Sequence, residues 1–350
     1  MKKILMQGNV ALCEGAIAAG LDAYFGYPIT PQNEVAVHMS RRMRELNRVF
    51  IQAESEIAAI NMVFGVSITG KRAMTSSSSP GISLKQEGIS YLCGCELPGV
   101  IANIQRGGPG LGNISGSQGD YFQAVKGGGH GDYRMITLAP ASVQEVYDFA
   151  YLSFDLTEKY HNPVLILMDG YTGQMMEPVQ RTDRPPIPAK KYKKDWVLDG
   201  CKGREPRKIR SLLMNEGELE ELNWKLKKKY DKITDTEIRV ETINTNSVKK
   251  LDVILIAFGV ASRVCKGAMN IAREKGKKVG LIRPLTLWPF PYKTIEKLAK
   301  KTKKILVVEM NLGQMVEDVK IAVGDKCKVE FLGRPGGSIV NQDEIFSKIK

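Results

Sequence analysis

Four short segments hold residue types that do chemistry when they are brought together. Tyr27-Pro28-Ile29-Thr30-Pro31, Ala53-Glu54-Ser55-Glu56, Ser76-Ser77-Ser78-Ser79-Pro80-Gly81 and Arg106-Gly107-Gly108-Pro109 supply hydroxyls, two carboxylates and a guanidinium. The planar fork of an arginine pairs bidentately with a carboxylate, and Glu is a proton donor or acceptor. Taken singly, each segment is explained by turn and cap chemistry: Glu at a helix start complements the dipole, and Ser before Pro-Gly is a good cap. Taken together, each ending a predicted strand, they point to one crevice at the carboxyl edge of a parallel sheet, where open α/β sheets bind ligands.

Other patterns are weaker. Gly65 to Lys71 has the spacing of a phosphate-binding loop, but Arg72 replaces the hydroxyl residue and Gly65 falls inside a predicted helix. Gly108, Gly110 and Gly112 imitate a dinucleotide fingerprint, with Asn113 where the third glycine belongs. His130, in a glycine-rich turn, is an acid–base candidate whose commoner role is structural. Of six cysteines only Cys93 and Cys95 are close, without the spacing that closes a metal chelate, so the chain is expected to hold no iron–sulfur cluster of its own.

The elements that must carry these segments alternate in type. Short strands are predicted at 23–27, 48–52, 73–75, 99–105 and 164–168, and helices at 11–20, 31–46, 55–69, 81–93 and 143–157, the pattern of a parallel sheet wrapped by helices. Pro28 and Pro31 stop regular structure after the first of these strands. The helix 55–69 is apolar on nearly all faces and is expected to be buried. Residues 1–179 thus read as one α/β domain, and 180–247 as a charged connector containing Arg184-Pro185-Pro186-Ile187-Pro188. Residues 248–350 return to strand–helix alternation as a smaller α/β domain.

With 43% hydrophobic and 25% charged residues over 350 positions, the composition suits two globular cores. No apolar run approaches the ~20 residues of a membrane span, and Met1 to Met6 is too short for a secretory core, so a cytoplasmic location is expected. The net charge of +13 gathers between Lys190 and Lys232 among interspersed glutamates. That mixture reads as a solvated face able to steer an acidic partner, not as a nucleic-acid stripe.

Phe25-Gly26-Tyr27-Pro28-Ile29-Thr30-Pro31, Gln52-Ala53-Glu54-Ser55-Glu56-Ile57-Ala58-Ala59, Arg106-Gly107-Gly108-Pro109-Gly110, and Gly127 to Asp132 with Tyr133 and Arg134 carry a resemblance. Over nearly its whole length the chain resembles the alpha-type subunits of 2-oxoacid:ferredoxin oxidoreductases, in particular the branched-chain type. Val307 to Gln314 resembles the family's transketolase-type carboxyl-terminal domain. The resemblance implies a thiamine-diphosphate pyrimidine-binding domain followed by that smaller domain. It places Glu54 against N1′ of the aminopyrimidine, where a carboxylate favours the protonated ring and so assists loss of the thiazolium C2 proton. Glu56, in the same turn, is the competing choice. Glu54 is preferred as the last residue before the buried helix and as the match to the family position. Tyr27, Pro28 and Ile29 join Glu54 in cofactor binding, and Thr30 and Arg106 match positions that hold the substrate carboxylate.

The family's diphosphate-binding half carries Gly-Asp-Gly, whereas Gly119-Asp120, Gly131-Asp132 and Gly324-Asp325 run on into Tyr121, Tyr133 and Lys326. The diphosphate, Mg2+ and the iron–sulfur clusters are therefore assigned to partner subunits: a thiamine-diphosphate-binding beta-type chain, a gamma-type chain and a ferredoxin-like chain. Coenzyme A is the implied co-substrate and ferredoxin the implied acceptor. Gly110-Leu111-Gly112-Asn113-Ile114-Ser115 replaces the hydroxyl-rich segment of 2-oxoglutarate-specific relatives, which favours a branched substrate such as 3-methyl-2-oxobutanoate. The alternatives are a 2-oxoglutarate enzyme and a non-catalytic assembly subunit.

Overall fold

The computed structural model describes residues 3–181, 185–188, 190–245 and 250–349. Met1, Lys2, Arg184 of the proline segment and the boundary at 247 lie outside the described residues. The first half runs β1 (Ile4–Gln7), α1 (Gly8–Ala19), β2 (Ala23–Gly26), α2 (Asn33–Glu45), β3 (Val49–Gln52), α3 (Glu56–Ile68), β4 (Ala73–Ser77), α4 (Ser79–Gly94), β5 (Gly99–Gln105), α5 (Tyr121–Val125), β6 (Ile136–Leu138), α6 (Val143–Tyr160), β7 (Pro163–Asp169), α7 (Gly170–Gln174) and β8 (Met176–Val179). The second half runs α8 (Glu218–Thr236), β9 (Val240–Ile243), β10 (Val253–Ile256), α9 (Gly259–Glu274), β11 (Val279–Pro284), β12 (Thr286–Trp288), α10 (Tyr292–Ala299), β13 (Lys304–Glu309), α11 (Met315–Val323), β14 (Lys328–Gly333) and α12 (Gln342–Ile349).

The larger sheet has the order β12-β6-β7-β5-β4-β2-β3, parallel except for β12. Helices cover both faces, which is why its central strands are continuous apolar runs. In β5 the alternation sends Val100, Ala102 and Ile104 into a cluster with Leu12 and Ala150, and Ile101 into the opposite cluster with Ile60 and Ile89. The smaller sheet, β14-β13-β10-β11-β9, is parallel apart from β9, and β1 and β8 form a separate antiparallel pair. No helix among the described residues is long and apolar enough to cross a membrane.

Two expectations need correction. Helix α3 buries Glu56, Ala59, Ile60, Val63 and Ser67, while Ile57, Asn61 and Gly65 form an exposed stripe. A period of 3.6 residues leaves one line of an apolar helix off the sheet. The stretch 180–247 is not simply extended, because it contains α8 and β9. Leu226, Tyr230 and Ile233, spaced by four and three residues, bury one side of α8 against Ile136, Leu156 and Val164. The lysines between them masked that spacing in the sequence.

The two sheets share a core and a polar seam. Cluster residues such as Ile101 and Leu165 are continuous with Ile254, Phe258 and Val307. Gln118 knits the seam, donating from Nε2 to the Phe258 carbonyl and accepting from the Met310 amide. Its own carbonyl accepts from Asn311, and Asp318 accepts from Tyr121 and Lys126. At the far side of the larger sheet the false phosphate loop is accounted for. Gly65 lies within α3, and Arg72 forms a buried bidentate pair with Glu158, at 2.9 Å for both bonds.

That guanidinium also donates to the carbonyls of Ala19 and Ile187, so one side chain ties β4, α1, α6 and the proline segment. Arg72→Met would leave Glu158 buried with Lys194 as its remaining ion-pair partner. The expected loss is about 3–5 kcal/mol, the range for breaking a buried pair from one side, read from the midpoint of chemical denaturation.

Candidate functional site

Because β5, β4, β2 and β3 are consecutive neighbours and parallel, their carboxyl ends open along one edge, each strand about 5 Å from the next. The four polar segments singled out in the sequence are the loops that leave those ends. The turn after β2 is held from three directions. Gln32 Oε1 accepts from Ser76 Oγ of β4 at 2.5 Å, and the Pro31 carbonyl accepts from Asn9 and Gln174 at 2.9 and 2.7 Å. Tyr27 and Pro28 stay exposed at the rim, with Ile29 and Thr30 half-buried.

Arg106 and Thr30 are brought together. Arg106 Nη1 donates to the Thr30 carbonyl and Nη2 to the Leu111 carbonyl, each at 3.0 Å. The side chain is 7% exposed, yet Nε has no partner among the described residues. Its backbone is fixed by Ser79 Oγ, which accepts from the Arg106 amide and donates to Asp120 at 2.6 Å. Asn103 donates to the same Asp120 oxygen, and burial nonetheless pushes that carboxyl upward against both bonds. Beyond Pro80 and Pro109 a cavity of about 450 Å³ reaches the second sheet at Leu312 and Pro335.

The two glutamates after β3 have different surroundings. Ser55 caps α3, its Oγ accepting from the Ala58 amide at 3.1 Å, and Glu56 is the first helical residue. Glu54, preferred on sequence, lies exposed in the turn and forms no hydrogen bond or ion pair among the described residues. Glu56 is 6% exposed, and its carboxylate too has no hydrogen-bond partner among them. It lies over Gly81, where a Cβ would stand 2.1 Å from Ser77 Oγ and 2.5 Å from Glu56 Oε1. Ser77 Oγ and Ser78 Oγ are buried and have no partner among the described residues. Lys85, one turn along α4 and fully buried, donates to the Glu56 carbonyl at 3.2 Å.

A buried polar atom without a partner is costly and uncommon. Here Ser77 ends β4 and Ser78 follows it, with the Glu56 carboxylate beside Ser77 at Gly81, and Arg106 follows the neighbouring β5. Such a set can take a planar polar ring at the carboxylate and an anion at the arginine, which fits the aminopyrimidine of thiamine diphosphate and a 2-oxoacid. His130 lies apart: it is exposed, its carbonyl accepts from Ser90, and its ring meets the edge of Tyr91. Ser90 is eleven residues along α4 from Ser79, roughly 16 Å.

Lys85 and Asp120 were not singled out on sequence. A signal for Lys85 existed, since it occupies the slot between Ile82 and Ile89 that the spacing of Ile82, Ile89 and Leu92 assigns to the core. Asp120 carried none, because its burial comes from a loop folding back onto Ser79 and Asn103.

Comparison with known proteins gives two family-model matches. Residues 14–242 match the thiamine-diphosphate-binding domain of pyruvate flavodoxin/ferredoxin oxidoreductases, and residues 251–345 match core domain II of pyruvate:ferredoxin oxidoreductase. The ketoisovalerate oxidoreductase subunit VorB of Methanothermobacter marburgensis is 48% identical over 99% of this chain and 97% of its own. The 2-oxoglutarate synthase subunit KorA of Methanothermobacter thermautotrophicus is 36% identical over 99% and 98%. The solved 2-oxoglutarate:ferredoxin oxidoreductase of Magnetococcus marinus, with 2-oxoglutarate, coenzyme A and succinyl-CoA bound, superposes with a TM-score of 0.87 at 26% identity. The match covers 99% of this chain and 65% of that longer one.

Two consequences of the geometry are measurable. Gly81→Ala forces a methyl group onto Ser77 and the Glu56 carboxylate, and the expected cost is about 1–3 kcal/mol of stability. Lys85 titrates abnormally: burial pushes its ammonium down to about 8, with the Glu56 charge opposing. Its folded value lies below the unfolded one of about 10.4, so its contribution to stability is fully present above ~10.4 and lost as pH falls to about 8. The span is on the order of 3 kcal/mol. A Tm that rises across this window in the native chain, and rises less in Lys85→Met, is the expected result.

Proposed function

We propose that this chain, which belongs to the pyruvate flavodoxin/ferredoxin oxidoreductase family, holds the aminopyrimidine ring of thiamine diphosphate and the carboxylate of a branched-chain 2-oxoacid. It does so as the alpha-type subunit of a 2-oxoacid:ferredoxin oxidoreductase. The complex it serves decarboxylates the 2-oxoacid oxidatively, passing the acyl group to coenzyme A and electrons to ferredoxin. The observation that carries the reading is Glu56, 6% exposed at the carboxyl end of the sheet, whose carboxylate has no hydrogen-bond partner among the described residues.

The cofactor supplies, when bound, a nucleophilic carbon that adds to the 2-oxo group. Glu56 accepts a hydrogen bond from the protonated ring nitrogen N1′, and Ser77 and Ser78 offer their free hydroxyls beside it. This shifts the role from Glu54 to Glu56, because a carboxylate acts more strongly on a ring nitrogen in a desolvated site than from water. Glu54 stays at the rim with Tyr27 and Pro28. Arg106 presents its unpartnered Nε and one edge of its fork to the substrate carboxylate, with Thr30 alongside. No Gly-Asp pair of the chain is followed by Gly, which supports placing the diphosphate, Mg2+ and the clusters on the beta-type, gamma-type and ferredoxin-like subunits.

The choice of 3-methyl-2-oxobutanoate rests on two supports. The relative at 48% identity is a ketoisovalerate oxidoreductase subunit, against 36% for the 2-oxoglutarate synthase subunit. The loop beside Arg106 presents Leu111 and Ile114, both largely exposed, in place of hydroxyls.

In the assembled complex, Glu56→Gln is expected to lower kcat by roughly 10²–10⁴, while Glu54→Gln leaves it within about twofold. The reverse pattern returns the role to Glu54, and near-normal turnover in both variants makes the subunit a non-catalytic scaffold. kcat/KM is expected to favour 3-methyl-2-oxobutanoate over 2-oxoglutarate by about tenfold or more.

A further inference from the structure

Lys85 is a buried charge that the reaction as described does not use. Its neighbours along α4, Ile82, Ile89 and Leu92, are core residues, and it fills the same stripe with an ammonium group. An ammonium removed from water destabilises a fold unless charge or hydrogen bonds compensate. Nζ has one hydrogen bond, to a neutral carbonyl, and among the described residues no carboxylate closes an ion pair with it. The charge that acts on it is Glu56, across the junction of α3 and α4.

The other ionisable groups around this pair are engaged or turned away. Asp120 is held by Ser79 and Asn103, and the Arg106 fork by the carbonyls of Thr30 and Leu111. Glu87 of α4 accepts from Tyr91, and Glu54 is in solvent. Tyr133 reaches Gln86, the residue after Lys85, and burial pushes its hydroxyl up to about 12, so it carries no charge at neutral pH. Lys85 therefore reaches Glu56 at its backbone carbonyl, with both side chains buried.

We propose that Lys85 is a positioning residue whose ammonium supplies the counter-charge that keeps Glu56 a carboxylate beneath the bound aminopyrimidine ring. The proposal rests on the reading of Glu56 given above. The placement suits the task. A lysine paired directly with Glu56 would occupy the lone pairs that the ring nitrogen needs. Docked on the Glu56 backbone carbonyl instead, Lys85 delivers its field without taking an acceptor. The same bond keeps the ammonium from drifting, since its anchor is the residue it serves. An opposite charge nearby favours the ionised form of a carboxylate.

The experiment uses the assembled complex with Lys85→Met and Lys85→Arg. In Lys85→Met the acidic limb of the kcat profile is expected to move up by roughly one pH unit, with kcat on the plateau changed less than about threefold. Calorimetric titration with thiamine diphosphate and Mg2+ is expected to show the same displacement in the pH below which affinity falls. Lys85→Arg, which keeps the charge, restores both toward the native values. Placed in the Glu56→Gln background, Lys85→Met is expected to shift neither curve further.

An unshifted limb and an unshifted affinity curve in a folded Lys85→Met complex overturn the proposal, as does an equal shift in the Glu56→Gln background. If Lys85→Met fails to assemble, Lys85→Arg decides: a native-like profile supports the role of charge, and a profile displaced as far as that of a neutral Lys85→Gln overturns it. Glu56→Gln with normal turnover removes the underlying reading instead, so the two failures are told apart.

Discussion

All strands of a parallel sheet deliver their following loops to one edge, and this constraint organises the molecule. β2, β3, β4 and β5 bring their loops within about 15 Å of one another. The polar groups of those loops must then find partners or a ligand, because helices cover both faces of the sheet. Some are satisfied internally: Ser76 with Gln32, Ser79 with Asp120, the Pro31 carbonyl with Asn9 and Gln174. Ser77 Oγ, Ser78 Oγ, Arg106 Nε and the Glu56 carboxylate have no hydrogen-bond partner among the described residues.

The second sheet fixes this edge rather than hanging from it. From Gly116, which bridges Arg106, the chain immediately enters the seam, where Gln118 accepts from Met310 and donates to Phe258. Glu309, at the end of β13, is buried and accepts from the amides of Met315 and Val316, so its charge is spent on the start of α11. In the other direction β12 returns to the larger sheet and pairs with β6. The two halves thus exchange a loop and a strand, and the cavity behind Pro109 has walls from both. Positions of Arg106 and Asp120 are consequently set by packing far from either residue.

The unpartnered surfaces are consistent with a subunit. The stripe Ile57, Asn61 and Gly65 on α3 runs away from Glu56 along the outside of the chain, and β3 is an exposed edge strand. Edge strands are normally covered.

The residues themselves determined the strand–helix alternation, the stops at Pro28 and Pro31 and the four polar loops, because propensity, proline geometry and parallel topology act locally or follow fixed rules; the contact of Arg106 with the Thr30 carbonyl came from the tertiary structure. Helix α8 was hidden, since surface lysines outnumber its three buried residues. Tertiary packing alone decided that Glu54 is exposed and Glu56 buried. Both sit in one turn, two residues apart, and nothing in their order says which is desolvated. That depends on α4 lying against the start of α3, where Gly81 leaves room for the Glu56 carboxylate and Lys85 docks on the Glu56 carbonyl. Solvent exposure is a property of what surrounds a residue, and those surroundings come from segments distant in the chain.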